Sequence, residues 1–116
     1  MDSRHVLILV EDPQLAELLL DALTGAGHTG VLATAESLLA VLAEQRVDVA
    51  IVDLDTRARD GAANVEVLRR CAPGATIVAL LPCGGLPGPS TVPYHLALEK
   101  PMRLGAVLSA VAICRN

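Results

Sequence analysis

The chain has almost no aromatic side chains: among its 116 residues there is no Trp, no Phe and a single Tyr. Because 53% of the residues are nonetheless hydrophobic, the core must be built from Leu, Val, Ile and Ala. An aliphatic core of this kind is expected where helices pack on a parallel sheet. The length predicts one domain, residues 1–116, that is large enough to bury a real core.

Basic clusters, long apolar runs and paired cysteines are also missing. The net charge is −4 and Lys and Arg are not clustered, which argues against nucleic-acid binding by this domain. No apolar run approaches the roughly 18 residues of a membrane span, and Val6–Val10 is too short and too early for a signal peptide. The three cysteines are odd in number and lack metal-ligand spacing, so we predict reduced thiols in a cytoplasmic protein with no membrane partner.

Strand and helix patterns alternate along the chain. Short apolar runs predict five strands, at Val6–Val10, Thr29–Thr34, Val47–Val52, Thr76–Leu81 and Leu96–Glu99. Leu, Val and Ala recurring every three or four residues predict helices after Pro13, before Gln45, before Pro73-Gly74 and over Leu104–Ala112. Alternation of this kind is typical of an α/β fold with a doubly wound parallel sheet.

The alternation breaks between Pro82 and Pro93. Proline and glycine recur through this segment so closely that no helix has room to form. We therefore predict an extended, Gly/Pro-rich loop, without a full helical turn, where regular alternation would place the fourth helix.

Charged residues follow three of the predicted strands. Glu11 and Asp12 come after the first strand, Asp53 ends the third, and Lys100 follows the fifth. In a sheet of order 2-1-3-4-5 the first and third strands are neighbours, and ligands bind at the carboxyl ends of such strands. Clustered carboxylates there would bind a hard cation such as Mg²⁺. A carboxylate beside an ammonium group is also suited to attacking a phosphoryl group and stabilising the charged product.

These motifs resemble the receiver domains of bacterial two-component response regulators, which have a flavodoxin-like fold. The resemblance extends over the whole chain. It rests on the acidic pair Glu11-Asp12, the spacing of Asp53 to Asp60-Gly61, and Lys100-Pro101 after the fifth strand.

The resemblance implies a role for each of these residues. Asp53 would accept a phosphoryl group, and Lys100 would pair with that group. Pro101 would set the geometry of the Lys100 peptide bond, which is often cis in the family. Mg²⁺ would be held by Glu11, Asp12, Asp53 and the backbone carbonyl of Asp55. The implied partners are a histidine kinase or phosphotransfer protein and a downstream protein or output domain.

The chain also departs from the family pattern. The family carries Ser or Thr at the end of strand four and an aromatic residue three positions before the lysine, and here these positions are Leu81 and Ala97. Arg57 stands where Pro is common, and Tyr94 lies too early to replace the aromatic residue. The first loop is one residue short, which leaves open whether Glu11 or Asp12 is the principal metal ligand.

Two other functions are compatible with parts of the sequence. The missing switch residues Leu81 and Ala97 favour a receiver-like interaction module that does not use phosphorylation. Asp53-Leu54-Asp55-Thr56 also matches the motif of haloacid-dehalogenase-type phosphatases, in which the first Asp is the nucleophile and the second a general acid/base. Those enzymes need a hydroxyl at a later strand end, where this chain has Leu81.

Overall fold

The computed structural model of the chain describes residues 3–54, 61–84 and 93–114. Within these residues the strands are β1 His5–Leu9, β2 Thr29–Leu32, β3 Val49–Asp53, β4 Thr76–Leu81 and β5 Leu96–Glu99. The helices of the same residues are α1 Pro13–Gly25, α2 Leu38–Glu44, α3 Gly61–Cys71 and α4 Leu104–Ile113. All neighbouring strands are parallel, in the order β2-β1-β3-β4-β5. The predicted flavodoxin-like, doubly wound fold is confirmed.

Helix α1 begins as the sequence predicts. The Asp12 side chain caps the helix by accepting a hydrogen bond from the Gln14 N–H at 3.0 Å, and Pro13 occupies the start of the first turn. Beyond the helix, Gly27 has a φ of 92°, a left-handed conformation that glycine adopts without strain. Local capping residues therefore fix both ends of α1.

Strand β2 is shorter than predicted, ending at Leu32 and not at Thr34. The reason is a local turn in which Thr34 and Ser37 exchange hydrogen bonds. The Thr34 N–H donates to Ser37 Oγ at 2.9 Å, and the Ser37 N–H donates to Thr34 Oγ1 at 3.2 Å. Side chains that bond nearby backbone groups compete with the ladder of a sheet, and here they turn the chain toward α2.

The core forms one layer on each face of the sheet. On one face α1 and α4 cover β-strand side chains in a cluster that includes Leu19, Leu23, Ile51, Val78 and Val111. On the other face α2 and α3 cover a cluster that includes Leu7, Leu38, Val52, Leu68 and Ile77. Because β3 lies between these layers, all five of its residues are buried.

The predicted loop Pro82–Pro93 falls mostly outside the described residues, because 85–92 are not among them. At its described ends, 82–84 and 93–95, the chain is not helical.

The cysteines of the described residues are free thiols, with Cys71 and Cys83 exposed and Cys114 buried. None of the helices described has the length and apolar character that crossing a membrane requires.

A buried carboxylate, Asp48, joins the amino ends of β1 and β3. Its Oδ2 accepts the His5 N–H at 2.9 Å, and its Oδ1 accepts the Arg46 Nε–H at 3.0 Å. Burial alone would raise the pKa of Asp48, but these hydrogen bonds and the Arg46 charge outweigh burial and hold the pKa below its usual range. The sequence pattern had placed the start of β3 at Val47. The strand begins at Val49, two residues later.

We expect the Asp48→Asn variant to lose about 1–3 kcal/mol of unfolding free energy at pH 7, because an amide cannot accept both N–H groups. A lowered pKa in the folded state stabilises the fold above the ordinary aspartate pKa and ceases to do so as the pH falls through the lowered value. The difference between wild type and variant should therefore shrink on acidification. Urea unfolding from neutral to acidic pH measures it, with the exposed Asp21→Asn as control. A difference independent of pH would contradict this account.

Candidate functional site

Asp53 lies at the carboxyl edge of the sheet, at the end of its most buried strand. It is the last residue of β3 and is 6% exposed. The next residue continues toward β4, since the Leu54 N–H donates to the Leu80 carbonyl at 2.8 Å. The backbone of Asp53 is thus fixed in the sheet, and its place at the end of the third strand is the one that the sequence predicts.

Lys100 reaches Asp53 from the end of β5. Its N–H donates to the Leu81 carbonyl at 2.8 Å, which anchors the backbone at the end of β4. Its Nζ donates to Asp53 Oδ2 at 2.8 Å. The two side chains are 24% and 7% exposed, so the ion pair is largely withdrawn from water. The Lys100-Pro101 peptide bond is cis, as the resemblance implies.

Burial of this ion pair costs both side chains part of their hydration. A carboxylate withdrawn from water is stable as an anion only when a partner compensates the lost hydration. That partner is the ammonium group of Lys100, which lies 47 positions away in the sequence and follows β5, on the other side of β4. The ion pair expected from the sequence is therefore present, while the functional roles of the two residues stay predictions.

A cavity of ≈ 230 Å³ opens beside Asp53 on the side of β1 and β2. Its polar lining consists of Glu11, Thr34, Glu36, Asp53 and Asn64. Sequence reasoning found Glu11 and Asp53 but missed Thr34, Glu36 and Asn64. The turn-forming spacing of Thr34 and Ser37 was a usable signal for the bend that brings the β2–α2 segment here, whereas nothing in the sequence marks Asn64.

The predicted metal ligands are only partly brought together. Glu11 and Asp53 line the same cavity, and their carboxylate oxygens suit Mg²⁺. Asp12 is exposed and caps α1 through its Oδ1, and it does not line the cavity. Asp55, whose carbonyl was the fourth predicted ligand, lies outside the described residues. Within the described part of the chain no three His, Cys, Asp or Glu side chains are grouped closely enough to hold a metal ion. Two of the four predicted ligands therefore line one cavity, and the metal site itself stays a prediction.

The positions of the family's switch residues are apolar in the structure as well. Leu81 is 8% exposed and packs in the same cluster as Leu9 and Leu54. Ala97 lies on the edge strand β5, opposite Ala79, and is exposed. Among the described residues, β4 ends without a hydroxyl side chain and β5 contains no aromatic residue.

Comparison with known proteins places the fold. No family model matches the sequence, and no curated protein matches it. Solved structures do match. A response regulator from Thermotoga maritima has a TM-score of 0.78 and 16% identity over 96% of each chain. The receiver domain of the sensor histidine kinase PA1611 from Pseudomonas aeruginosa PAO1, solved with a magnesium ion in its active-site cleft, has a TM-score of 0.81 and 18% identity. That match covers 97% of this chain and 98% of the other.

A third match concerns a longer protein. NtrX from Brucella abortus has a TM-score of 0.81 and 17% identity over 97% of this chain, which spans only 27% of the NtrX chain. At these identities the likeness defines the fold: the chain has the fold of response-regulator receiver domains.

Gly61, at the start of α3, allows the backbone to pass close to Asp53. A Cβ atom there would lie 2.8 Å from Leu54 Cδ2 and 3.0 Å from the Asp53 carbonyl oxygen. We expect Gly61→Ala to cost about 1–3 kcal/mol of unfolding free energy, because the added methyl group displaces both.

Gly25→Ala is the matched control, since Gly25 ends α1 and a Cβ there meets nothing within 4 Å. That change should be neutral or slightly stabilising, because alanine favours the helix. Urea unfolding of both variants measures the difference. Equal stability of the two variants would contradict this expectation and show that α3 can shift away from Asp53 at little energetic cost.

Proposed function

We propose that the chain is a receiver domain of two-component signalling that accepts a phosphoryl group on Asp53. The observation that carries the proposal is the buried Asp53 carboxylate held 2.8 Å from Lys100 Nζ beside an open polar cavity. A surface salt bridge would not need burial, and a purely structural pair would not need a cavity. The phosphodonor is a histidine kinase or a phosphotransfer protein, and the recipient of the signal is a downstream protein or output domain.

The reaction is a transfer between a phosphohistidine and a carboxylate. An oxygen of Asp53 forms a new P–O bond as the P–N bond of the donor breaks, and the electron pair of that bond stays on the imidazole nitrogen. The Lys100 ammonium, already at hydrogen-bonding distance from Asp53, then pairs with an oxygen of the transferred group. The chain thus supplies the nucleophile and one fixed positive charge.

Mg²⁺ is the cofactor that this function needs. When bound, it would neutralise charge on the transferring phosphoryl group. Glu11 and Asp53 are the described residues that would hold it, and the magnesium ion in the PA1611 receiver domain supports the assignment. Asp12 and the Asp55 carbonyl complete the proposed set.

The second candidate function is phosphorylation-independent binding of a partner, which Leu81 and Ala97 favour. A receiver-like module that binds its partner without phosphorylation would need neither a hydroxyl on β4 nor an aromatic ring on β5. It would also have no need to keep Asp53 and Lys100 paired in a largely dry site, which is why we place it second. The phosphatase alternative is weaker still, because Leu81 occupies the strand end where its hydroxyl is required.

Labelling with a small phosphodonor such as acetyl phosphate in the presence of Mg²⁺ tests the acceptor. Asp53→Asn should abolish labelling, because an amide oxygen is a far weaker nucleophile than a carboxylate. The control is Asp21→Asn, which alters an exposed acid of α1 and should be labelled like the wild type. Equal labelling of wild type and Asp53→Asn would rule out Asp53 as the acceptor.

Two substitutions of Asp12 distinguish its role as a helix cap from its proposed role as a charged metal ligand. Asp12→Asn keeps a capping oxygen and should leave stability nearly unchanged, whereas Asp12→Ala should cost about 1 kcal/mol. If Asp12 helps to hold Mg²⁺, both variants should need more Mg²⁺ for half-maximal labelling. Unaltered Mg²⁺ dependence in both would restrict Asp12 to the helix cap and leave Glu11 as the principal acidic ligand.

The output face should respond little to phosphorylation. A phosphoryl group shifts an equilibrium only through contacts that differ between two states, and neither Leu81 nor Ala97 can make such a contact. With beryllofluoride as a mimic of the aspartyl phosphate, backbone chemical shifts should change around Asp53 and at Lys100, which contacts the mimic, and barely along the rest of Leu96–Val111. A large change along β5 and α4 would mean that another group has taken over the switch.

A further inference from the structure

A second cavity lies at the opposite edge of the sheet from Asp53. It measures ≈ 480 Å³ and sits where the chain enters β1 and β2 and where α1 and α4 end. This volume is within the range of small-molecule sites. Neither the proposed phosphoryl transfer nor the metal site uses any residue of this cavity.

The side chains that the structure describes around this cavity offer hydrogen-bond donors, and none of them is an acid. Its polar lining is Ser3, Arg4, His28 and Ser109, and its apolar wall includes Leu108 and Ala112. His28 Nδ1 accepts the Arg4 N–H at 3.0 Å, so the neutral imidazole carries its proton on Nε2. The hydroxyl of Ser3 is already committed to the Gly27 carbonyl at 2.8 Å.

Arg4 is the most informative of these residues. Its guanidinium makes no ion pair within residues 3–54, 61–84 and 93–114. Its Nη2 donates to the Ala112 carbonyl at 3.4 Å, a long bond, and its Nε is buried without a partner. The buried Nε is closed to a ligand. The other N–H groups of this partly exposed side chain can donate to a carboxylate or phosphate in the cavity.

Two opposing effects set the expected strength of binding. The carbonyl ends of α1 and α4 carry partial negative charge, which disfavours an anion. Hydrogen bonds from a charged guanidinium are stronger than those from a neutral donor, and they favour an anion. The attraction of the guanidinium is expected to exceed the repulsion by the helix ends only slightly. Affinity in roughly the millimolar range is therefore expected for a small anion.

We propose that this cavity binds an oxyanion, the carboxylate or phosphate group of a small molecule, through Arg4, with His28 and Ser109 as additional donors. The apolar wall formed by Leu108 and Ala112 would contact the body of the ligand. The site is independent of phosphorylation at Asp53, because it lies at the other end of the strands.

An amide NMR titration of the whole chain tests the site, with inorganic phosphate and acetate as separate probes at constant ionic strength. At least one anion should cause saturable shifts around Arg4, His28 and Ser109. Saturation by both defines a general oxyanion site, and saturation by one identifies the preferred group. Arg4→Gln should weaken binding about tenfold or more, and Arg4→Lys should fall between, because it keeps the charge but loses the fork.

The matched control is Arg70→Gln, which removes an exposed arginine of α3 and should leave the affinity unchanged. Ser109→Asp serves if the Arg4 variants fail to fold. Its carboxylate lies beside the cavity, so phosphate binding should be lost while the thermal midpoint holds or rises. Shifts that rise linearly without saturation, or unchanged binding in Arg4→Gln or Ser109→Asp, would overturn the proposal and leave Arg4 as a cap of α4.

Discussion

The burial of β3 on both faces is the constraint on which the rest of the structure depends. A strand covered by helices on each side can expose polar groups only at its ends, and this strand has an acid close to each. Asp48, at the amino end, bonds the start of β1. Asp53, at the carboxyl end, pairs with Lys100. One carboxylate joins two strands of the sheet and the other lies beside a cavity, so the same physical requirement places an acid close to each end of β3.

The two edges of the sheet therefore differ in chemistry. The carboxyl edge collects Glu11, Asp53 and Glu36 around a cavity beside Lys100. The amino edge presents Arg4 and His28, and none of the described residues lining its cavity is an acid. Leu81 and Ala97 stand where the receiver pattern has a hydroxyl and an aromatic residue. In the function that we propose, phosphorylation of Asp53 is therefore only weakly coupled to the face formed by β5 and α4.

Local sequence signals predicted most of the fold and half of the site. Aliphatic runs located every strand to within two residues at each end, and Asp12-Pro13 fixed the start of α1. The error at the end of β2 came from side chains bonding backbone at Thr34–Ser37, which periodicity does not encode. A sequence motif does not show that Asp12, which is predicted as a metal ligand, also caps a helix. The Arg4 cavity depends on contacts 24 and 108 residues apart, which no local pattern predicts.

The central claim is that Asp53 forms a covalent aspartyl phosphate, and the site of modification tests it most directly. The chain would be incubated with acetyl phosphate and Mg²⁺, treated with borohydride to reduce any acyl phosphate to the alcohol, digested and sequenced by mass spectrometry. The account predicts homoserine at position 53, dependent on Mg²⁺ and absent without the phosphodonor. Homoserine at another aspartate, or an intact Asp53 under conditions that modify a typical receiver domain, would contradict it.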